Sequence, residues 1–344
     1  MNKRYFFASL CRIADLAEQP FRVVPLDRAD WETGDYVVGE VAEIPSGRVV
    51  ELTSGRMIEV AEGDLVVGAF GVRHATLEAT GRWQAIEKNG RMHLLTAAGL
   101  LGRCTSLSSV LQPLPALHYR GHAMRHDRKL CMADFVQIVP DRSFDTPTIL
   151  IVGSSMSAGK TTAARILIRQ LKKLGLKVVG AKITGAGRYR DVLTMHDAGA
   201  DAIFDFVDVG LPSTVCTEDE YRNALEGLLS RITGAEADVA VVEVGASPLE
   251  PYNGAVAVAA LEDHVRLTLL CASDPYAVVG VVEAYGLRPD LVTGIATNTE
   301  AGIELVGRLT GLPALNVRNK ADLPELMRLL GARLGVDVPG DTVD

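Results

Sequence analysis

The chain has 344 residues, with 35 Lys and Arg against 43 Asp and Glu, which gives a formal net charge of −8 at pH 7. This balance argues against a surface that binds a polyanion over the whole molecule, so we expect no nucleic acid as a partner. A hydrophobic share of 48% with 23% charged residues is typical of a folded globular protein rather than a disordered one.

Two further features set the expected environment. No stretch offers the roughly 18 apolar residues that a membrane helix needs, so we predict a cytoplasmic protein without a membrane partner. The five cysteines include no Cys-x-x-Cys pair. This argues against a disulfide framework and a cysteine zinc cluster, and predicts reduced thiols.

Residues 1–104 are predicted to form a β-rich domain, either a small barrel or a sandwich. From Tyr36 to about Leu101, short Val-rich runs alternate with glycines and acidic residues, which is typical of strands separated by turns. Two nearly identical Val-Val-Gly runs follow Gly-Asp pairs that begin at residues 34 and 63. This repeat suggests an internal duplication.

Residues 105–147 are predicted to be a basic connector that closes with a strand at DFVQIV. The segment HYRGHAMRHDRK holds His118, His122 and His126 at helical i, i+4, i+8 spacing. These histidines could share a metal ion, the segment could attract an anionic substrate, or it could be a solvated basic turn. Its four cations are Arg120, Arg125, Arg128 and Lys129.

Residues 148–344 show apolar runs that alternate with longer helical patterns. The runs TILIVG, KVVGAKI, ADVAVVEVG, VRLTLLC and LVTGIA are apolar throughout, as strands of a parallel sheet covered on both faces are. Ligands of such folds lie beyond the carboxyl ends of the strands. Helices are predicted over Thr161–Leu174, Glu218–Arg231, Tyr276–Tyr285, Glu300–Leu309 and Asp322–Leu334.

A loop of small residues, GSSMSAGKTT, joins the first of these strands to the first helix. This arrangement directs backbone N–H groups and a helix N-terminus toward a polyphosphate. Gly153 lies six positions before Gly159, whereas the usual Walker A pattern needs five, so the loop is a variant. The predicted nucleotide-binding residues are Gly153, Ser155, Met156, Ser157, Ala158, Gly159, Lys160, Thr161 and Thr162, with Asn298 for the base.

We therefore predict an α/β fold, with a mainly parallel P-loop domain at residues 148–344 preceded by the smaller β-rich domain. Lys160 is expected to bridge the β- and γ-phosphate oxygens, and Thr161 to hold Mg²⁺. Glu243 ends the run ADVAVVE and is the predicted metal-ordering carboxylate. Asp191, or alternatively Asp197, is a candidate for a second metal carboxylate.

The longer loop resembles the phosphate loop of dethiobiotin synthetase and the cobyrinate amidotransferase group. The segment from Lys182 through GAGRYRDVLTMHDAGADAIFDFVDVGLPST, followed by VVEVGASPLEPYNG, is similar to the P-loop domain of the D-glutamate N-acetyltransferase family. The likeness covers roughly residues 148–320, and fold transfers more safely than substrate over such a match. It does not extend to the N-terminal half, where we expect that family to carry a Rossmann-like domain.

The resemblance to the dethiobiotin synthetase group implies two site residues. It places Lys182 near the substrate and the transferred phosphoryl group, so Lys160 and Lys182 are the predicted catalytic residues. It also implies that Asn298 lies near adenine, whose edge a carboxamide can read. Asn319-Lys320-Ala321-Asp322 matches the guanine-specificity pattern of GTPases, yet we favour ATP over GTP.

The leading prediction is a Mg²⁺- and ATP-dependent P-loop enzyme that activates a small carboxylate or amine by phosphoryl transfer, as a kinase or a ligase. One alternative is an N-acyltransferase that uses an acyl-CoA, such as acetyl-CoA, on an amino acid. Another is a nucleotide-dependent switch or chaperone that acts on a protein partner. We expect a homodimer or a higher homo-oligomer.

Overall fold

The computed structural model describes residues 4–45 and 49–338, and the chain divides into two compact units. Unit 1 comprises Met1–Ile138, Gly185–Arg190 and Phe206–Ala224. Unit 2 comprises Val139–Thr184, Asp191–Asp205 and Leu225–Asp344. The predicted division at residues 104 and 147 is therefore corrected, because the first unit continues to residue 138 and includes two short later segments.

Unit 1 contains a closed ring of strands. Strands β3, β6, β10, β9 and β11 pair in that order, and β11 pairs back with β3. The β6–β10 pair is parallel and the other four pairs are antiparallel. Because the ring closes, the predicted β-rich domain is a barrel. The strands of unit 1 are β1 Tyr5–Phe7, β2 Arg22–Val24, β3 Tyr36–Glu43, β4 Val50–Glu51, β5 Met57–Ile58, β6 Leu65–Phe70, β7 Val72–His74, β8 Ala79–Arg82, β9 Arg91–Thr96, β10 Leu100–Leu107, β11 Ala116–Arg125 and β12 Arg128–Lys129.

The two Val-Val-Gly runs lie side by side in this ring. They belong to β3 and β6, and Val38 pairs with Val67 in antiparallel register. Gly68 is required by close packing, because a Cβ there would lie 2.2 Å from the carbonyl oxygen of Gly99. The residues that fill the ring are apolar and buried, including Val37, Val66, Phe70, Met92, Leu101 and Leu117.

The predicted basic connector is wrong as a description of residues 105–138, because this segment supplies a central strand. β11 pairs with β3, β9 and β2. The expected strand at DFVQIV is also absent, since Met132–Phe135 forms a 3₁₀ turn. Each of the four cations has a carboxylate partner, in the pairs Arg120–Glu40, Arg125–Asp15, Arg128–Asp134 and Lys129–Glu32.

The three histidines do not share a helical face, because His118 and His122 lie in β11 and His126 lies in the following turn. His122 is fully buried. Its Nε2 lies 3.1 Å from Asp35 Oδ2, and its Nδ1 lies 2.6 Å from the Tyr119 hydroxyl. A carboxylate only accepts hydrogen bonds, so Nε2 donates to Asp35, and Nδ1 shares its hydrogen bond with the Tyr119 hydroxyl.

Unit 2 is a six-stranded parallel sheet in the order β15-β14-β16-β13-β17-β18. The predicted α/β fold is confirmed. Its strands are β13 Thr148–Gly153, β14 Val178–Thr184, β15 Ala202–Asp205, β16 Val239–Val244, β17 Val265–Ala272 and β18 Leu291–Gly294. The helices from residue 160 onward are α1 Lys160–Lys173, α2 Tyr189–Asp197, α3 Glu218–Gly234, α4 Gly254–Leu261, α5 Pro275–Tyr285, α6 Glu300–Thr310 and α7 Leu323–Leu334.

The predicted helices begin and end within a few residues of the observed ones because their termini carry strong signals. In α5, the Asp274 side chain accepts from two N–H groups of the first turn, Pro275 occupies the first helical position, and Gly286 ends the helix at positive φ. None of the helices in the described ranges has both the length and the apolar character needed to span a bilayer.

Candidate phosphate-binding site

The phosphate loop runs from the end of β13 to the start of α1, as the sequence predicts. Gly159 precedes the helix with φ of 101°, a left-handed conformation that glycine adopts without strain. A Cβ on Gly153 would lie 2.7 Å from both Cδ and Nζ of Lys160. The absence of a side chain at Gly153 therefore leaves room for the side chain of Lys160, which gives a physical reason for a glycine at this position of the variant loop.

Lys160 extends back along the loop. Its Nζ donates to the carbonyl oxygens of Ser155, at 2.6 Å, and Ala246, at 3.1 Å. Ala246 has a φ of 59°, an uncommon conformation for a residue other than glycine. The side chain of Lys160 is buried, and this burial lowers its pKa, although the charge of Glu243 acts in the opposite direction.

Three charged residues form a row across the carboxyl edge of the sheet. Lys182 in β14 pairs in register with Asp205 on one side and with Glu243 on the other. All three are at most 5% exposed. Residues that pair in register on parallel strands project to the same face of the sheet. The sheet therefore collects Lys182, Glu243 and Asp205 on one face.

Two of the predicted metal ligands are brought together. The Thr161 hydroxyl donates to Glu243 Oε2 at 3.0 Å. Burial raises the pKa of Glu243, while the nearby charges of Lys182 and Lys160 lower it. A hydroxyl beside a carboxylate is a hard oxygen donor set that fits Mg²⁺, which takes few protein ligands and completes its shell with water and phosphate oxygens.

The third predicted metal ligand, Asp191, instead pairs with a lysine. Its Oδ2 lies 2.5 Å from Lys182 Nζ. Burial alone would lower the pKa of Lys182, but the charges of Asp191 and Glu243 outweigh it and raise the pKa. Asp197, the alternative carboxylate, is exposed near the end of α2. Neither aspartate is therefore arranged with Thr161 in the way that Glu243 is.

A small cavity of about 40 Å³ lies beside the phosphate loop and is lined by Asn298, the residue predicted to contact the nucleotide base. It is also lined by Gly159 and Thr162. A Cβ on Gly294, another lining residue, would lie 2.4 Å from the carbonyl oxygen of Ala158. Gly294 is not among the predicted site residues, and its only signal in the sequence is a lone glycine at the end of a strand.

The alternative base motif does not line this cavity. Asn319 donates to Asp322 Oδ1 at 3.2 Å and accepts from the N–H of Ala321. Asp322 Oδ2 accepts from the N–H of Asn316 at 3.1 Å. Both carboxylate oxygens of Asp322 thus take part in the hydrogen bonding of their own turn.

Sequence reasoning also missed the parts of the site that depend on register. Neither Asp205 nor Gly245 is among the predicted site residues. A Cβ on Gly245 would lie 2.1 Å from the carbonyl oxygen of Thr184 and 3.0 Å from Cε of Lys182. Within the described ranges, no group of three or more His, Cys, Asp and Glu side chains is arranged to hold a metal ion.

The sequence matches no family model and no curated protein. These comparisons therefore do not show that the chain belongs to the D-glutamate N-acetyltransferase family or to the dethiobiotin synthetase group. Solved structures similar to the chain include chloroplast FtsY from Physcomitrella patens, at 16% identity and a TM-score of 0.35, over 52% of this chain and 59% of that one. The chain thus spans less than two thirds of that FtsY.

Two further similar structures are matched over most of their length. One is the hydrogenase maturation factor HypB from Archaeoglobus fulgidus, at 14% identity and a TM-score of 0.36, over 55% of this chain and 90% of that one. The other is a ParA family ATPase from Chlorobium tepidum, at 13% identity and a TM-score of 0.30, over 55% of this chain and 91% of that one. TM-scores this low carry no inference about what the chain binds or does.

Proposed function

We propose that unit 2 binds MgATP and transfers its γ-phosphoryl group to a small carboxylate or amine acceptor. The observation that carries the proposal is the geometry of the phosphate loop. A glycine-rich turn leads from β13 into α1, with Lys160 folded over Gly153 and the Thr161 hydroxyl bound to Glu243. The N-terminal N–H groups of α1 and the loop amides would then hold the phosphates.

The present hydrogen bonds of Lys160 support this role. Main-chain carbonyl oxygens hold its ammonium group in place without cancelling its charge. Phosphate oxygens carry negative charge and make stronger, charge-assisted hydrogen bonds. We therefore expect Lys160 to exchange Ser155 and Ala246 for the β- and γ-phosphate oxygens when nucleotide binds.

Thr161 and Glu243 would hold the metal ion, Glu243 either directly or through a water molecule. A bound Mg²⁺ would neutralise charge on the phosphate oxygens. Glu243 must be ionised for this task; burial raises its pKa, and the nearby charges of Lys182 and Lys160 offset part of that rise. The donor set therefore fits the ion that the proposal requires.

Lys182 is the proposed residue for stabilising charge in transfer. Its pKa is raised, so it stays protonated at neutral pH, and Asp191 fixes its ammonium group at 2.5 Å. In the transfer step, an acceptor oxygen or nitrogen attacks the γ-phosphorus and the bond to the β–γ bridging oxygen breaks, with ADP as the leaving group. A fixed ammonium group can balance the charge that develops on the phosphoryl oxygens.

Asn298 is proposed to contact the adenine, because it lines the cavity next to Gly159 and Thr162. The hydrogen bonding of Asp322 within its own turn supports ATP over GTP. The acyl-CoA alternative and the switch alternative stay predictions.

The proposal is tested first by binding. Thermal stabilisation by ATP with Mg²⁺ should disappear in Lys160→Ala, because the loop loses its phosphate-binding cation. Lys173→Ala is the matched control, since Lys173 lies exposed on the same helix and donates to Gln170. Unchanged stabilisation in Lys160→Ala would rule out the phosphate-loop assignment.

The transfer reaction needs a separate assay. ADP release should be stimulated by one member of a panel of small acids and amines, and Lys182→Met should reduce the turnover rate more than it reduces ATP binding. Consumption of acetyl-CoA without ATP hydrolysis would replace phosphoryl transfer by acyl transfer.

A further inference from the structure

Unit 1 contains a cavity of about 330 Å³ away from the ring interior described above. This volume is at the lower end of the range for small-molecule sites, about 300–1,000 Å³. Its lining mixes charged, polar and apolar side chains, and the charged and polar members include Glu43, Arg91, His93, Arg103 and Cys104.

The cavity opens where two strands separate. β10 pairs with β9 up to the pair Gly102–His93, and beyond Gly102 it pairs with β8 instead. On the other side of β9, the pairing with β11 begins at His93–Ala116. His93 therefore lies at the point where β10 leaves the ring, and the gap is bordered by the second half of β10 and the start of β11.

The separation leaves the N–H of Cys104 without its β9 partner, and the side chain of His93 replaces it. The Cys104 N–H donates to His93 Nδ1 at 3.1 Å. Because Nδ1 accepts, the neutral ring carries its proton on Nε2, which is then a donor. Burial, together with the charges of Arg103 and Arg91, lowers the pKa of His93 to about 4. The ring is therefore neutral at physiological pH.

The charges in the lining do not balance. Arg91 pairs with Glu43 at 3.1 Å, whereas Arg103 has no carboxylate partner within residues 4–45 and 49–338. Two guanidinium groups and one carboxylate leave a single positive charge. Burial raises the pKa of Cys104, so its thiol stays protonated and is a poor nucleophile. These properties indicate a binding site rather than a second catalytic site.

We propose that this cavity binds a small aliphatic monocarboxylate, with Arg103 as its anchor. A guanidinium group matches a carboxylate with two parallel hydrogen bonds, and one negative charge completes the balance of the lining. Leu107, Pro113 and Leu114 provide an apolar wall for the carbon chain. This site is independent of the nucleotide site proposed in unit 2.

The test uses the full-length chain with butyrate as the probe and butyramide as its uncharged counterpart. Histidine ring signals are followed by NMR, and the His93 signal is assigned from the His93→Gln spectrum. Butyrate should shift the His93 signals saturably and butyramide should not. Absence of a saturable butyrate shift, an equal response to butyramide, or preferential binding of inorganic phosphate would overturn the proposal.

A pair of variants tests the anchor. Arg103→Gln should weaken butyrate binding about tenfold or more, the effect expected for loss of a charge-assisted hydrogen bond. Arg82→Gln is the matched control, because Arg82 is exposed on β8 directly opposite Arg103 and does not line the cavity. Equal affinity in Arg103→Gln and the wild type would refute the anchor. If Arg103→Gln fails to fold, the comparison of butyrate with butyramide on the wild type still decides.

Discussion

Asp35 in unit 1 and Lys160 in unit 2 are both buried charged groups, but their hydrogen-bond partners differ in kind. In unit 1, Asp35 Oδ2 accepts from His122, Lys129 and the N–H of Glu32, and Lys129 also contacts Glu32. In unit 2, Lys160 is equally buried, yet its hydrogen bonds go to main-chain carbonyl oxygens. A carboxylate cancels the charge of its partner, whereas a carbonyl group only orients it.

The difference separates a structural cluster from a site that can receive a ligand. Around Asp35 Oδ2, opposite charges and donors meet one another, so a ligand there would have to replace strong contacts; the other carboxylate oxygen, Oδ1, is buried without a hydrogen-bond partner within the described residues. At Lys160, an anion can displace neutral carbonyl groups and gain a charge-assisted interaction. For Asp35 and Lys160, the kind of hydrogen-bond partner therefore distinguishes the two buried charges; the pairing of Lys182 with Asp191 shows that a carboxylate partner alone does not mark a group as structural.

The largest expected effect is in the unit 1 cluster. Asp35→Ala should lower the free energy of unfolding by about 3–5 kcal/mol, since it leaves a buried network without its central acceptor. Both tryptophans, Trp31 and Trp83, lie in unit 1. Urea denaturation followed by tryptophan fluorescence therefore reports on this unit.

The control for Asp35 is Asp27→Ala, since Asp27 is exposed and its side chain makes no capping hydrogen bond. It should change the free energy of unfolding by no more than about 0.5 kcal/mol. A loss below about 1 kcal/mol in Asp35→Ala would show that the cluster contributes little and would remove the contrast with unit 2.

The next effect concerns Glu243 in unit 2. Glu243→Gln should reduce the Mg²⁺-dependent part of ATP affinity about tenfold or more, as metal-site changes commonly do. Its effect on folding should be small, because burial already disfavours the charged carboxylate. Calorimetric titration of ATP with and without Mg²⁺ measures the difference.

Glu226→Gln is the control for Glu243, since Glu226 is exposed on α3. It should leave both titrations unchanged. Equal Mg²⁺ dependence in Glu243→Gln and the wild type would remove Glu243 from the metal site, and the buried carboxylate would then resemble Asp35 in being structural.

The pH dependence of Mg²⁺-dependent ATP binding should sharpen the same contrast. The pKa of Glu243 is raised above the ordinary value of 4.5, so the carboxylate takes up a proton at a higher pH than an exposed glutamate does. A protonated carboxyl group does not bind Mg²⁺. Binding should therefore weaken as pH falls toward this raised pKa.

The variant Glu243→Gln isolates that contribution. The nucleotide phosphates also take up protons, but they do so with the wild type and the variant alike. The difference between the two binding curves should grow as pH rises from acidic to neutral. A constant difference across this range would contradict a titrating carboxylate at the metal site.

In unit 2, elements that follow one another along the chain were predicted well, whereas contacts that depend on strand order and register were predicted poorly. β13, the phosphate loop and α1 are consecutive, so their order alone indicates the phosphate site. The row of Asp205, Lys182 and Glu243 depends on strand order and register, which chain spacing does not reveal. The short edge strand β15 was missed because its first three residues are only partly buried, so its apolar pattern is weak.

Unit 1 was harder to predict because its strand pairings join residues that are far apart along the chain. The histidine spacing in residues 118–126 fits a helix, yet these residues belong to β11 and a turn. The helix α4 was also missed, since GAVAVAAL has no polar face to produce a helical period. The Arg103 cavity gave no sequence signal, because its lining comes from β3, β9, β10, the segment between β10 and β11, and the start of β11.

The smallest expected effect is in the basic stretch of β11. Arg120 is 48% exposed and pairs with Glu40 at 2.9 Å. An ion pair this exposed contributes about 1 kcal/mol or less. Arg120→Gln should therefore shift the tryptophan-detected denaturation curve only slightly, and the small shift should shrink further in high salt, which screens exposed charges. A loss as large as that of Asp35→Ala would show that the exposed pairs of β11, and not only its buried histidine, hold unit 1 together.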